Sequence, residues 1–567
     1  MRTLDWIVLA ASLAGVVLYG LWQSRKKSDI QSYLVANRSM PWWVVFLSVG
    51  ATQASAITFL STPGKAYDDG LRFIQFYFGL PLACLILSIT AIPIYHKLKV
   101  LTAYEYLETR FDAKTRALIA ALFLVARALA TGMSLYAPAL IVSVLLKWPM
   151  SVSIALMGGF SIIYTVAGGS GAVAKTQVLQ TVIIWGGMAA AVFVILQMLP
   201  SFVGVREALD IASVSHKTDW LDFRFDWNNQ FNVWSGLIGG LFLQMSYFGT
   251  DQSQVARYLA GRSIRESRVG LLAHGITKIP LQFAILFTGI MVFAAYQFVM
   301  PPVHFNPAAV EKVLNSSRAE DYKKAEREFQ QAFAQRQGAI ENYIQSNEYP
   351  TYAEGRLAVE AAEARVNTAK MKVKELVRAV DPLSDGGDSD YVFLRFVIEH
   401  LPAGIVGLVL AAVLCASMGA CAAQLSALGT TSVVDIYRRF INTSATEKHY
   451  LSSARWFTAF WGVFAVCFAQ FAGGFGPLIV AVNILGSFFY GTILGVFLSA
   501  FYIKYIGGTS VFIAALLSEI VVFAFKQYTA ISFMWYTVIG CISVFVFAVA
   551  LEFIIKKSPR DIQVAGR

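Results

Sequence analysis

The amino-acid sequence predicts an all-α polytopic membrane protein, and three observations indicate this class. Of the 567 residues, 57% are hydrophobic and 14% are charged, and the mean hydropathy is +0.58. A soluble protein of this composition could not cover its apolar surface. The apolar residues also fall into thirteen runs, each close to the ~20 residues that a helix needs to cross a bilayer. Finally, Lys and Arg concentrate in alternate loops.

The thirteen runs predict thirteen transmembrane segments, which we number from zero along the chain. Each run is long enough for a spanning helix, because an α-helix rises about 1.5 Å per residue. The predicted spans are 4–22, 41–62, 71–96, 116–147, 150–167, 175–199, 233–256, 269–299, 392–424, 452–472, 476–503, 509–526 and 530–555.

The distribution of basic residues predicts the orientation of the chain. Segment 0 is followed by Arg25, Lys26 and Lys27, whereas a secretory signal carries its charge before the apolar run. We therefore expect a retained helix with its N-terminus outside. With this start, the loops assigned inside hold 23 Lys and Arg residues and the short outside stretches, which leave out residues 306–380, hold eight. The C-terminus is then cytoplasmic, and the expected location is the inner or plasma membrane.

Several classes of function find no support in the sequence. The five cysteines lie in apolar runs, where they are typical of small buried side chains rather than of disulfides. The six histidines are scattered without metal-ligand spacing, and no Ser/His, paired-Asp or HExxH pattern of an intramembrane enzyme lies on the predicted membrane segments. The net charge of +11 is explained by basic cytoplasmic loops, so neither a nucleic-acid partner nor an organic cofactor is predicted.

One polar stretch, residues 306–380, interrupts the apolar pattern and divides the chain into 1–305, 306–380 and 381–567. We call residues 306–380 the insert. Apolar residues repeat at helical spacing on either side of Pro350, which predicts an antiparallel helical hairpin on the outer face. The two stripes are Tyr322, Ala325, Phe329, Phe333 and Ile340, and Ala362, Val366, Ala369, Val373, Leu376 and Val380. The hairpin is either a spacer or an arm that binds an extracytoplasmic partner.

Segment 1 differs from an ordinary spanning helix. "GATQASAITFLSTPGKAY", from Gly50 to Tyr67, places Gly, Ser, Thr, Gln and Pro at bilayer depth. Irregular backbone at that depth is tolerated where it lines a cavity, and its free carbonyls can coordinate a cation. Close helix packing through small residues is the alternative explanation.

Three further positions place charge within or beside the apolar segments. "SYFGTDQSQVARYLAGRS" (246–263) carries Asp251 beside Gln252, and "HGITKIPLQF" carries Lys278 two to three turns into an apolar helix. Arg127 is a second cation of this kind. Such groups usually serve function, although Lys278 could also extend its ammonium to the inner interface.

Taken together, the sequence resembles the sodium/solute symporter family, which includes the sodium–glucose, proline, pantothenate and monocarboxylate symporters. The resemblance is carried in order by "SAITFLSTPGKAY", "TAYEYLETRF", "YTVAGGSGAVAKTQVLQ", "GTDQSQVARYLAGRS" and the small-residue stretch 401–437. It covers essentially the whole chain apart from the insert. It implies a five-plus-five inverted-repeat transporter core with broken first and sixth helices, alternating access, and segments 0, 11 and 12 as additions.

The resemblance also implies a sodium site between segments 1 and 8. Carried over by position, its carbonyl ligands would be Ala51, Ala54 and Ala416. The family usually supplies two hydroxyls next, but Gly419 and Ala420 stand there. The small residues of segment 8 suit close approach to segment 1, yet neither hydroxyl is present.

Segment 5 also differs from the family at positions linked to ion coupling. The usual Trp-Thr-Asp is replaced by Lys175, Thr176 and Gln177, which together with Asp251 form the predicted coupling or gating set. A hard cation needs about six oxygens or a nearby charge, by analogy with calcium and magnesium sites. Sodium coupling, proton coupling, uniport and a lysine that acts as a tethered cation all stay open, and Lys175 is the candidate for the last.

The positions that match the family's solute pocket predict one cation, several amides and aromatic walls. Such a pocket suits a small carboxylate or a modified sugar acid. The predicted substrate-binding set is Gln53, Thr58, Tyr77, Gln244, Tyr247, Phe248, Lys278 and Asn483. The predicted function is a secondary transporter of a small organic solute. The alternatives are an ion-independent uniporter and a sensor or scaffold that keeps the fold without transport.

Overall fold

The structure is a computed structural model that describes residues 1–24, 38–53, 55–345, 351–382 and 384–557. Side chains are described except at 16–24, 167–179, 181, 351–352 and 556–557. The α-helices are α1 Thr3–Ser24, α2 Trp42–Gln53, α3 Thr62–Asp69, α4 Leu80–Ile89, α5 Ala91–Leu98, α6 Glu105–Arg110, α7 Ala113–Leu146, α8 Met150–Met198, α9 Val205–Val214, α10 Gly240–Thr250, α11 Gln252–Leu259, α12 Ile264–Ala295, α13 Pro307–Leu314, α14 Ala319–Gln345, α15 Thr351–Val380, α16 Ser389–His400, α17 Ile405–Thr431, α18 Glu447–Ala469, α19 Leu478–Tyr502, α20 Gly508–Tyr528 and α21 Tyr536–Lys557.

The described chain is helical throughout, and its one extended pairing is an isolated bridge between Met40 and Gly261. Eight helical runs among the described residues are long and apolar enough to cross a membrane. They are Ile57–Leu98, Ala113–Leu146, Ile264–Ala295, Ile405–Ile441, Glu447–Ala469, Leu478–Tyr502, Gly508–Tyr528 and Phe533–Ile555. The all-α polytopic class is therefore confirmed, whereas the count of thirteen crossings stays a prediction.

Helix α8 differs from the sequence prediction because it runs unbroken where two spans, 150–167 and 175–199, were expected. Glycine-rich sequence predicts a turn, but the stretch between the two spans has no proline to interrupt the helix. The two halves nevertheless pack on different partners. Gly158 lies against Val466 of α18, and Gly187 lies against Val409 of α17.

Two segments are interrupted within the helical bundle. Segment 1 is divided into α2, which ends at Gln53, and a π-helical turn that begins at Ile57 and leads into α3. Segment 6 is interrupted at Asp251, whose backbone is extended between α10 and α11. The Asp251 carboxylate accepts a hydrogen bond from the Ser253 N–H at 2.9 Å, so it caps the helix that restarts there.

Among the eight long apolar runs, the one that contains α17 is the most enclosed, and 89% of its most apolar stretch is buried. Its small residues allow neighbouring helices to approach closely. At Gly407 an added Cβ would lie 2.2 Å from the Asp5 carbonyl oxygen, so only glycine permits α1 to pack there. The abundance of Gly, Ala, Ser and Cys in this helix is thus explained by packing on several sides.

Within the insert, α14 and α15 pack against each other through the two predicted apolar stripes. Phe329 and Phe333 of α14 and Val366 and Val373 of α15 are at most 2% exposed and belong to one cluster. The short helix α13 precedes them and is capped by the Asn306 side chain, an element that the stripes did not predict. The predicted break at Pro350 lies outside the described residues.

Candidate solute site

A cavity of about 100 Å³ lies at the centre of the bundle, where the two interrupted segments face α7, α12 and α19. Five of its polar residues, Thr52, Gln53, Ser55, Thr58 and Tyr77, come from helix ends or turns, whose backbone is not fully used in helical hydrogen bonds. Its lining residues are Thr52, Gln53, Ser55, Ile57, Thr58, Phe76, Tyr77, Arg127, Ala130, Ser134, Leu243, Gln244, Tyr247, Lys278, Gln424, Ile479, Val482, Asn483 and Tyr490.

Seven residues of the predicted substrate-binding set line this one cavity. They are Gln53, Thr58, Tyr77, Gln244, Tyr247, Lys278 and Asn483. Phe248 is fully buried outside the lining and packs its ring against Tyr247 and His274, with centroids 5.1 and 5.4 Å away. The geometry thus brings together residues from five separate segments, while their role in solute binding stays a prediction.

Lys278 places an ammonium in the cavity without a partner of opposite charge. The residue is 5% exposed, and its Nζ lies 5.3 Å from the centre of the Tyr77 ring. Among the described residues no carboxylate forms an ion pair with it and no acceptor forms a hydrogen bond. An ammonium in such a place is costly, and the ring face offsets only part of the cost.

One turn before Lys278, His274 fixes the amide of Gln53. The His274 Nε2 and the Gln53 Oε1 are 3.0 Å apart, and the Thr58 hydroxyl donates to the Gln53 carbonyl at 2.7 Å. When His274 donates from Nε2, the amide oxygen of Gln53 is occupied and its NH₂ group faces the cavity. Lys278 and Gln53 then present donors to a solute.

The second cation, Arg127, is already neutralised. Its guanidinium forms an ion pair with Asp251 and donates to the Tyr490 hydroxyl at 2.7 Å, while that hydroxyl donates to Asp251 at 3.2 Å. Arg127 also lies over the Tyr247 ring, 5.4 Å from its centre. Asp251, assigned from sequence to coupling or gating, therefore belongs to a buried network at one wall of the cavity.

That wall separates the cavity from the turn at 101–105. The Thr250 carbonyl accepts from the Tyr104 hydroxyl at 2.8 Å, and the Gln252 side chain bonds both Ala103 N–H and the Leu101 carbonyl. The distribution of basic residues assigns this turn to the inside. The Arg127 network thus lies between the cavity and this turn, whose location on the inner side stays a prediction.

Sequence reasoning missed several polar residues of the lining, among them Thr52, Ser134, Gln424 and Tyr490. Gln424 is the one amide in the small-residue run of α17, and it donates to the Ser134 hydroxyl at 3.2 Å. Its rarity in that run was a usable signal. Tyr490 had no such signal, because 24 tyrosines are spread along the chain.

The residues of the predicted sodium site are only partly described. Ala51, Ala416, Gly419 and Ala420 are buried, whereas Ala54 and the side chains of 175–177 lie outside what the structure describes. In the same region the Ser417 hydroxyl accepts from the Ala56 N–H at 2.7 Å. This bond joins α17 to the interrupted segment 1. The described residues contain no group of three or more His, Cys, Asp or Glu side chains that could hold a metal ion.

Comparison with known proteins agrees with this architecture. The chain is 24% identical to the sodium/sialic acid symporter SiaT of Proteus mirabilis (strain HI4320), over 95% of this chain and 93% of that protein. It is 29% identical to the human sodium/iodide cotransporter over 52% of this chain, and it spans about half the length (45%) of that relative. A solved structure of a Na⁺-coupled sialic acid symporter in a substrate-bound, outward-open state superposes with a TM-score of 0.72 at 23% identity, covering 98% of both chains.

That structural likeness shows the fold, which is the five-plus-five core that the resemblance implied. The model of one family matches residues 33–319 and 376–518, which together make up most of the sequence. The gap between the two matches falls within the insert. The chain therefore belongs to the sodium:solute symporter family.

Proposed function

We propose that this protein is a secondary transporter that moves a small organic anion, with a carboxylate held by Lys278. The observation that carries the proposal is the unpaired ammonium in the central cavity. A carboxylate would replace the water that the buried ammonium has lost and would form charge-assisted hydrogen bonds with it. The second donor, the Gln53 amide, fits the same anion.

The remaining lining residues suit a small and partly polar solute body. Buried amide oxygens of Gln244 and Gln424 have no hydrogen-bond partner among the described residues, so they can accept from hydroxyl or amide groups. Tyr77 and Phe76 supply apolar walls on the other side. A hydroxylated or acylated acid, such as a sugar acid, matches this combination of acceptors, donors and rings.

The Arg127 network supports alternating access. Opening the cavity toward the turn at 101–105 requires the contacts among Arg127, Asp251 and Tyr490 to separate. An anionic solute can compete with Asp251 for Arg127, because both present a carboxylate to the same guanidinium. Solute binding would then weaken the gate and link occupancy to opening.

We propose sodium as the coupling ion and treat it as co-transported cargo. The family supports this assignment, and the absence of hydroxyls at Gly419 and Ala420 argues for a site whose ligands differ from the usual set. The same absence favours the second candidate, a sensor or scaffold of the same fold that binds solute without transport. Uptake into proteoliposomes with and without a sodium gradient separates these two functions.

The experiment that tests the solute class is a thermal-shift panel on purified protein, run in sodium and in potassium buffers. It compares each carboxylic acid with its neutral amide or alcohol. We expect the acids to raise the unfolding temperature and the neutral analogues to leave it unchanged. If neutral hexoses stabilise the protein and carboxylates do not, the proposed solute class is wrong.

A further inference from the structure

Residues 320–375 of the insert have no counterpart in the family model, which matches residues up to 319 and resumes at 376. A hairpin that served as a spacer or a free arm would touch the membrane helices only at its base. The insert instead also contacts the helical bundle far from its base.

The described part of the insert contacts the rest of the chain at several points between its far end and its base. Near its far end, Ile340 and Tyr343 share a buried cluster with Ile211 and Val214 of α9. Midway, the Arg336 guanidinium, 2% exposed, donates to the Tyr296 carbonyl at 3.3 Å. The hairpin thus lies against the bundle rather than projecting from it.

Nearer its base, two lysines of α15 reach residues that end or begin membrane helices. Lys370 donates to the Tyr67 hydroxyl at 3.3 Å and lies over that ring, and Tyr67 belongs to the last turn of α3. The Lys374 ammonium is 3.5 Å from the carboxylate of Asp388, the residue before α16. The other Asp388 oxygen accepts from the Phe305 N–H at 2.8 Å, which holds the carboxylate in place.

Helices α3 and α16 themselves form one packed unit. An added Cβ at Gly64 would lie 1.8 Å from the Ser389 carbonyl oxygen, so the two backbones touch there. Both helices then contact the first turn of α19. The Ser61 hydroxyl accepts from the Ile479 N–H at 3.0 Å, and Asp390 accepts from the Leu478 N–H at 3.2 Å.

These contacts close the cavity on the side that carries the insert. Ile479, Val482 and Asn483 of α19 line the cavity just beyond Leu478. A path to the cavity on this side requires α19 to separate from Ser61 and Asp390. Because these two acceptors sit at the residue that precedes α3 and in the first turn of α16, the contact with α19 is strongest when both helices stay together.

We propose that the insert is a clamp on this gate, in which Lys370 and Lys374 are positioning residues that hold α3 and α16 together against α19. The inference goes beyond the proposed function, since it does not depend on which solute is carried. The electrostatic setting agrees with it. Burial lowers the pKa of Lys374, but the nearby carboxylates of Asp68 and Asp388 outweigh burial and raise its pKa above the ordinary value, which keeps Lys374 charged. At Lys370, burial and the charge of Arg336 lower the pKa, and its contact with Tyr67 consists of the hydrogen bond and the ring face rather than an ion pair.

The test measures access to the cavity from the insert side. Val482→Cys, in a background with the exposed Cys467→Ser, is exposed to a membrane-impermeant thiosulfonate without solute. The reagent is added on the side of the membrane from which a separate variant, Lys372→Cys on the exposed face of the insert, is labelled. We expect Lys374→Ala and Lys370→Ala to accelerate labelling of Val482→Cys by at least about fivefold.

Two variants serve as controls for this test. Lys374→Arg keeps the charge and should label at the parent rate. Lys372→Ala removes an exposed lysine of the same helix, which pairs with Glu328 within the insert, and should change nothing. Where an alanine variant does not fold, Lys374→Gln and Lys370→Met take its place.

Equal labelling rates in the parent, Lys374→Ala and Lys370→Ala would overturn the clamp. The clamp would also be overturned if Val482→Cys were labelled as fast in Lys374→Arg as in Lys374→Ala, because the charge at this position would then have no effect. Since labelling is measured without solute or ion gradient, neither outcome bears on the carboxylate proposal, and failure of the acids in the thermal-shift panel does not bear on the clamp.

Discussion

Arg336 under the insert and Lys278 in the central cavity are both buried cations, yet they differ in whether a carboxylate pairs with them. Under the insert, Arg336 pairs with Glu363 at 2.7 Å and Lys374 pairs with Asp388. In the cavity, Lys278 has no carboxylate among the described residues. A buried cation that pairs with a carboxylate of the same chain stabilises the fold. A buried cation without such a partner raises the free energy of the solute-free protein, and a bound anion would lower it again. This difference separates structural charge from functional charge without reference to sequence similarity.

The largest expected effect comes from breaking the neutralised pair under the insert. Glu363→Gln leaves the Arg336 guanidinium buried without a counter-charge, which should cost about 3–5 kcal/mol of stability. Thermal unfolding in detergent measures it. Glu360→Gln is the matched control, because Glu360 forms an exposed pair with Arg356 one turn away and should change little.

Replacing both partners of that pair sharpens the same comparison. Arg336→Met with Glu363→Leu removes both charges and keeps apolar volume, so most of the lost stability should return. A double variant as unstable as Glu363→Gln would show that the pair makes another contribution to the fold. The interpretation that Arg336 and Glu363 only neutralise each other's charge would then be wrong.

Removing the unpaired charge of the cavity should have the opposite effect on the empty protein. Lys278→Gln eliminates a buried ammonium that has no counter-charge, so the unfolding temperature without solute should stay the same or rise. Binding of the best acid should weaken by about 1.5–3 kcal/mol, which is roughly 10- to 150-fold, because a charged hydrogen bond is lost. Isothermal titration measures the affinity, with Lys278→Arg as the variant that keeps charge. A large loss of stability would place Lys278 with the structural cations.

The sequence predicted the broad features of this molecule because they follow from periodic hydrophobicity. The long apolar runs, the apolar stripes of α14 and α15, and the polar break in segment 1 all depend on local pattern. Lys278 was found for the same reason, since a charge within an apolar helix is conspicuous in one dimension. Seven predicted lining residues converge because a known family order specified which segments meet.

Other features depend on contacts between distant parts of the chain and had no local signal. The pairing of Arg127 with Asp251 joins α7 to the break in segment 6, 124 positions later. Nothing in either neighbourhood predicts it. Phe248 was expected at the cavity together with Tyr247 because both match positions of the family's solute pocket. Adjacent residues on a helix point about 100° apart, however, and the Phe248 ring is turned toward His274. The docking of the insert against α9 and α3 likewise follows from tertiary packing alone.

A smaller effect is expected for the unpartnered amides of the cavity. Gln244→Met removes a buried amide oxygen that bonds nothing in the described chain, so stability should not fall. If the solute donates to that oxygen, its affinity should drop by about 0.5–1.5 kcal/mol, which isothermal titration resolves. Met245→Leu, a buried apolar change next along the helix, controls for general repacking of α10. Unchanged affinity in Gln244→Met would remove this amide from the solute site.

The smallest effect is expected for ion pairs that face solvent on the insert. Lys372 and Glu328 lie 2.6 Å apart, but their side chains are 52% and 36% exposed. Water and salt screen such a pair, and two long side chains lose freedom to form it, so Lys372→Ala should cost less than about 1 kcal/mol. Unfolding temperatures at low and high ionic strength measure this, and the difference between variant and parent should shrink as salt rises. The Arg336 pair should show far weaker salt dependence, because burial excludes the screening ions. If the stability of the two pairs responded equally to salt, burial would not be what distinguishes them. The difference between the paired cation Arg336 and the cavity cation Lys278 would then depend on an interaction other than desolvation.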